Sequence, residues 1–163
     1  MDTVFTGRIW KLPDDVDTDT IIPGRYGVLP SAEEMSRHCL EPLRPELAAS
    51  ARPGDIFVAG KNFGCGSSRE FAPACIAALG VRCIVAKSFA RIFYRNAINI
   101  GLPIIECPEA SQDIDNGDEV EIDFDTGVIT NLTKNRTYKG QAFPEFMQKI
   151  IASEGLINYI NSK

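Results

Sequence analysis

Apolar and polar positions fall into two regimes along the chain. Up to residue 105, short apolar runs bounded by glycine or proline alternate with alanine-rich or amphipathic stretches, whereas beyond Pro108 strict alternation and turn signals take over. Residues 3–12 (TVFTGRIWKL) read as an opening strand, with Gly7 marking the place for a bulge. Ser31 with Glu34 three positions later forms a capping box for a helix whose inner side would carry Met35 and Cys39, with His38 in a structural or surface role. Pro42, Pro45 and Pro53 mark a long connection ending at Gly54-Asp55. Residues 56–59, 81–86 and 102–105 read as buried strands, separated by helices over 71–79 and 89–99. The second of these helices takes Ser88 as its cap, Phe89, Ile92, Phe93, Asn96 and Ile100 as its stripe, and Gly101 as its stop. Strand, helix, strand, helix, strand at this spacing predicts a right-handed parallel α/β unit. Further on, residues 118–124 and 128–132 form a hairpin through 125–127, residues 136–139 add a third strand, and 144–160 predict a closing helix broken at Gly155. The pattern is that of one domain over 1–163, a parallel α/β core with an added β-hairpin layer.

Composition narrows the function classes. The chain has 163 residues, 44% hydrophobic and 24% charged, enough for a real core. A net charge of −5 and the lack of any basic run argue against nucleic acid or an anionic membrane as the main partner. No apolar stretch is long enough to span a bilayer and the amino terminus lacks a signal-peptide pattern, so a cytoplasmic location is expected. Five cysteines, at 39, 65, 75, 83 and 107, include no Cys-x-x-Cys pair, and an odd number leaves one unpaired in any disulfide scheme. Reduced thiols follow. With one histidine and scattered cysteines there is no zinc spacing and no iron–sulfur signature, so no metal is expected on this chain.

Candidate chemistry concentrates in residues 60–70, GKNFGCGSSRE, a turn between a central strand and an alanine-rich helix. Gly64 and Gly66 permit positive φ and close backbone approach, and the following helix start offers unpaired N–H groups to an anion. A dinucleotide fingerprint would need glycine where Arg69 stands, and a P-loop would need serine or threonine where Asn62 follows Gly60-Lys61. Cys65 as a low-pKa nucleophile lacks a paired histidine. Ser67 with Glu70 is also a capping box, although Pro73 fits better near a helix start than six positions past a cap. Upstream, residues 13–23 crowd Asp14, Asp15, Asp17, Thr18, Asp19 and Thr20 together, either as a turn satisfying its own backbone or as a loop facing a site.

Three ordered blocks carry a resemblance. DVDTDTIIPGRY at 15–26, GKNFGCGSSRE at 60–70 and KSFARIFYRNAINIGLP at 87–103 resemble the small subunits of 3-isopropylmalate dehydratase, also called isopropylmalate isomerase. These subunits correspond to the swivelling domain of the aconitase superfamily, so the resemblance implies a swivelling β/β/α domain. It further implies a large partner subunit, in a heterodimer or heterotetramer, which carries a four-iron four-sulfur cluster; none is bound by this chain. By position Ser67 matches the general base, Ser68 supports it and Arg69 holds a substrate carboxylate, while Tyr26, Val28 and Leu29 read the variable substituent of a small hydroxy-dicarboxylic acid. The implied reaction is the dehydration and rehydration that interconverts 2-isopropylmalate and 3-isopropylmalate in leucine biosynthesis. Related substrates are citraconate or methylmalate, 2,3-dimethylmalate and homoaconitate; a noncatalytic anion-binding module is the alternative of a different class. Apolar Val28 and Leu29, without a cation beside them, favour a small apolar substituent, and Gly27 departs from the leucine that many members carry there. A helix N-terminus contributes at most about 2 kcal/mol to an anion, roughly 1.5 pKa units, too little to ionise a serine. Several donors and exclusion of water would have to act together, so the isolated chain is expected to be inactive.

Overall fold

The computed structural model describes residues 4–66 and 71–140. Among the described residues seven strands form one sheet in the order β4-β3-β2-β1-β5-β6-β7. The strands are β1 (Val4–Lys11), β2 (Ile56–Ala59), β3 (Cys83–Ala86), β4 (Ile104–Glu106), β5 (Glu119–Asp123), β6 (Val128–Asn131) and β7 (Arg136–Lys139). The helices are α1 (Thr18–Ile21), α2 (Ala32–Ser36), α3 (Leu47–Ser50), α4 (Phe71–Ala78), α5 (Arg91–Asn99) and α6 (Pro108–Asp113), with a 3-10 turn at Gly24–Val28.

β1 joins the two regimes. Its carboxyl half pairs in parallel with β2, from Ile9↔Ile56 to Lys11↔Val58, and its amino half pairs antiparallel with β5, from Val4↔Asp123 to Arg8↔Glu119. β2 and β3 are buried at all four positions, as expected of parallel strands covered on both faces, whereas β5 alternates. α2 and α5 pack on α4, and α6 packs on β3.

Several details differ from the sequence expectation. Gly7 lies in unbroken register opposite Val120, so no bulge forms there. The residue is small because a Cβ would stand 2.1 Å from the Gly54 carbonyl oxygen, where the chain turns into β2. α5 begins at Arg91 with Ala90 as an uncapped N-cap position, and its inner face is Phe93, Ala97 and Ile98. Ile92 and Ile100, expected inside, are 48% and 36% exposed. Its end is as expected: the Gly101 amide donates to the Ile98 carbonyl and the Leu102 amide to the Ala97 carbonyl, a Schellman stop. α6 was not anticipated. It starts with Pro108 in its first turn and is fastened by Ser111 Oγ donating to the Ala59 carbonyl and Lys11 Nζ donating to the Ile114 carbonyl (2.6 Å). All five cysteines are free thiols, four of them buried. The helix expected over 144–160 lies outside the described residues.

Candidate active site

The parallel strands β1, β2 and β3 run the same way, so the segments leaving their carboxyl ends meet at one edge of the sheet, where open α/β sheets bind ligands. Those segments are 13–20, 60–66 and 87–90, which overlap the three blocks singled out in the sequence. Backbone hydrogen bonds zip them together with 60–66 in the middle. On one side the Gly60 amide donates to the Pro13 carbonyl, Asp15 to Lys61, Gly64 to Val16 (2.7 Å) and Thr18 to Cys65 (2.9 Å). On the other side the Lys87 amide donates to the Gly60 carbonyl, Phe63 to Ser88, and Ala90 to Phe63 (2.9 Å). Ser67, Ser68 and Arg69 follow directly in sequence and lie outside the described residues. What is described is the frame from which they depart.

Side chains lock that frame. Asp14 Oδ1 accepts from the Lys61 amide (2.8 Å) and Ser88 Oγ accepts from the Asn62 amide (2.8 Å). Ser88 is therefore a brace for the turn, not the cap of α5. Asp15 and Asn62 both adopt left-handed backbone conformations, with φ of 54° and 58°, and face each other through Asn62 Nδ2 donating to Asp15 Oδ1 (3.3 Å). Such clustered backbone strain is a feature of functional loops. Asp17 caps α1, its carboxylate accepting from the Thr20 amide (2.7 Å), so the acid- and threonine-rich block satisfies its own backbone while also holding the turn. Beneath the turn lies an aromatic cluster in which Phe63 meets Phe93 edge-on at 5.2 Å and Phe89 at 6.1 Å.

Cys65 is half-exposed beside the turn. Desolvation, then the nearby carboxylates of Asp17 and Asp15, push its thiol above the usual range, the opposite of what a thiolate nucleophile requires.

The loop carrying Tyr26, Val28 and Leu29 reaches the same end of the molecule. The Gly24 amide donates to Asp19 Oδ1 (3.3 Å), and a Cβ on Gly27 would lie 3.4 Å from the ring of Phe71, the first residue of α4. A leucine at position 27 would thus meet α4, the helix that follows Ser67-Ser68-Arg69 in the sequence. Val28 is 88% exposed and Leu29 is half-buried against the core. Tyr26 is occupied: its hydroxyl donates to Glu41 Oε1 (2.7 Å) and its ring stacks on His38. Glu41 is the carboxylate partner of His38, only three residues away, which the sequence reading overlooked. Hydrogen bonds from Tyr26, then His38, hold the Glu41 carboxyl below the usual carboxylate range.

Among the described residues no group of three or more His, Cys, Asp or Glu side chains could hold a metal ion. Cys39, Cys75, Cys83 and Cys107 are committed to the core. A four-iron four-sulfur cluster thus has no ligand set among these residues. No helix among them is long and apolar enough to cross a membrane.

Comparison with known proteins agrees with this architecture. Residues 45–110 match the aconitase C-terminal domain family. The chain is 61% identical over 157 residues to the 3-isopropylmalate dehydratase small subunit of Lachnoclostridium phytofermentans, covering 96% of this chain and 95% of that one. It is 58% identical over 156 residues to the 2,3-dimethylmalate dehydratase small subunit of Eubacterium barkeri, covering 96% of each. The crystal structure of 3-isopropylmalate dehydratase from Methanocaldococcus jannaschii superposes with a TM-score of 0.92 at 44% identity, over 98% of this chain and 94% of that one. Sequence and fold together show that the chain belongs to the 3-isopropylmalate dehydratase small-subunit family, with the α/β architecture of the aconitase C-terminal domain.

Proposed function

We propose that this chain is the small subunit of a cytoplasmic two-subunit hydro-lyase that interconverts 2-isopropylmalate and 3-isopropylmalate in leucine biosynthesis. The observation that carries the reading is the convergence of 13–20 and 87–90 on 60–66, which builds a braced platform directly before Ser67-Ser68-Arg69. On this reading the four-iron four-sulfur cluster belongs to a large partner subunit. The chain's own part is that of the turn. Ser67 takes the proton from the substrate carbon, Ser68 supports it by hydrogen bonding, and Arg69 holds a substrate carboxylate in a bidentate grip. Tyr26, Val28 and Leu29 border the variable substituent. Because a helix N-terminus lowers a nearby pKa by only about 1.5 units, Ser67 needs further donors and a site closed to water by the partner.

The test is coexpression with a cluster-bearing large subunit and turnover measured on 2-isopropylmalate, citraconate, 2,3-dimethylmalate and homoaconitate. The complex should prefer 2-isopropylmalate. Ser67→Ala should assemble normally and lose about 10²- to 10⁴-fold in kcat, the usual worth of a general base. Robust turnover by this chain alone would overturn the proposal. A specific second reading is 2,3-dimethylmalate dehydration, favoured by the 58% identity to the Eubacterium barkeri subunit; preference for that acid in the same assay would select it.

A further inference from the structure

Away from the glycine-rich turn, a dense side-chain constellation lies under the loop that carries Val28 and Leu29. The rings of Tyr26 and His38 are stacked, centroids 4.0 Å apart and planes within 9°. Glu41 links them, Oε1 accepting from the Tyr26 hydroxyl (2.7 Å) and Oε2 accepting from His38 Nδ1–H (2.8 Å). Arg25 completes the group, its guanidinium carbon 4.7 Å from the Tyr26 ring centroid and its Nη2 3.5 Å from Glu41 Oε1.

This constellation is built asymmetrically. The loop side is weak: the 3-10 turn Gly24–Val28 has no buried residue, and its backbone ties include the Tyr26 amide to the Pro23 carbonyl and the Leu29 amide to the Tyr26 carbonyl, both 3.0 Å. The other side is firmly anchored. Cys39 and Leu40, between His38 and Glu41, are fully buried, and the Leu40 amide donates to the Ile21 carbonyl (2.8 Å). A pinned turn therefore presents two side chains that grip the loop.

We infer that Glu41 and His38 are positioning residues that fix the Gly24–Val28 turn, and with it Val28 and Leu29, so that they set substrate selectivity without touching the substrate. The inference rests on the substrate-reading role given to this loop above. A role in stability alone would lower activity on every substrate equally, whereas a positioning role alters the ratio between substrates and raises KM more than it lowers kcat.

The experiment uses the coexpressed complex carrying Glu41→Ala, His38→Ala or Glu41→Gln. Amide hydrogen exchange, measured without substrate, should speed up about tenfold at Tyr26 and Leu29 in the two alanine variants, the scale of one lost hydrogen bond to a charged group. The kcat/KM ratio of 2-isopropylmalate to 2,3-dimethylmalate should shift by about fivefold or more, with kcat held within about threefold. Glu41→Gln keeps an oxygen for the Tyr26 hydroxyl and should restore most of both. Unchanged exchange would overturn the clamp, and faster exchange with an unchanged ratio would overturn its role in selectivity. A wild-type complex inert on all four acids would sink the substrate reading and the selectivity claim with it. That failure is separable from failure of the clamp, because exchange is read without turnover.

Discussion

Gly64 is constrained twice over. Its φ of +84° lies in the left-handed region, and a Cβ there would sit 2.3 Å from Cγ of Phe93, whose ring is held edge-on by Phe63. Gly54 shares the first constraint, with φ of +96°, but a Cβ there meets nothing within 4 Å. Gly54→Ala should therefore cost about 1 kcal/mol, the left-handed penalty alone, and Gly64→Ala about 3 kcal/mol or more, with both read as shifts in a urea unfolding midpoint. Equal costs would mean that the Phe93 ring moves aside freely. Val28 belongs to the same scale. Being 88% exposed, it can be exchanged with little effect on folding, so a change there reports on what the loop faces. Val28→Arg places a cation where an apolar substituent is proposed to lie, and should shift kcat/KM from 2-isopropylmalate toward homoaconitate by about tenfold or more. Unchanged selectivity would remove the loop from the substrate site.

At the scale of elements, polar clips fasten the β5–β7 half to α6. Asp113 accepts from the Tyr138 hydroxyl and from Arg136 (2.7 Å), and Asp115 accepts from Lys134 (2.7 Å). Tyr138 first, then Arg136, hold the Asp113 carboxyl below its ordinary value, and Lys134 does the same for Asp115. A depressed folded pKa adds stability above the unfolded value of about 4 that is lost as pH falls through the folded one. The Tyr138 phenol is pushed up to about 12, by burial first and then by Asp113. A raised folded pKa adds stability below the unfolded value of about 10 that disappears as pH climbs towards about 12. Exchange protection of β6 and β7 should thus fall at both extremes, with Tyr138→Phe removing the alkaline limb and Asp113→Asn blunting the acid one. Insensitivity of the variants would assign the losses elsewhere. The sequence made these strands legible because alternation, or an unbroken apolar run such as Ile56–Ala59, is a direct imprint of burial. α6 was illegible because PEASQD buries only Ala110 and Ser111 and has no apolar stripe. Ser88 was misread because its hydroxyl partner, the Asn62 amide, is 26 residues away. The three blocks were visible as strings, but their convergence was not, since bonds such as Thr18 amide to Cys65 carbonyl join main-chain atoms that leave no side-chain signature.

For the whole molecule, the cysteines provide built-in reporters of which end meets a partner. Cys39, Cys75, Cys83 and Cys107 are buried in the core, and burial pushes the Cys83 thiol far up. Cys65 alone is half-exposed, beside the turn, with its thiol raised by desolvation and by Asp17 and Asp15. Since the thiolate is the reacting form, alkylation of the native chain should modify one of five thiols, at Cys65, and more slowly than a free cysteine; unfolding should expose all five. Peptide mapping after iodoacetamide treatment reads both results. The proposed function adds a second stage. If a large subunit closes over the carboxyl ends of β1–β3 to exclude water from Ser67, it must also cover Cys65, which is bonded through its carbonyl to Thr18 at that same edge. Assembly should then slow Cys65 alkylation by about tenfold or more, and prior alkylation there should weaken assembly. A complex that forms fully while Cys65 reacts at its free-chain rate would place the partner on another face, and the turn could not be the closed half-site that its braced frame suggests.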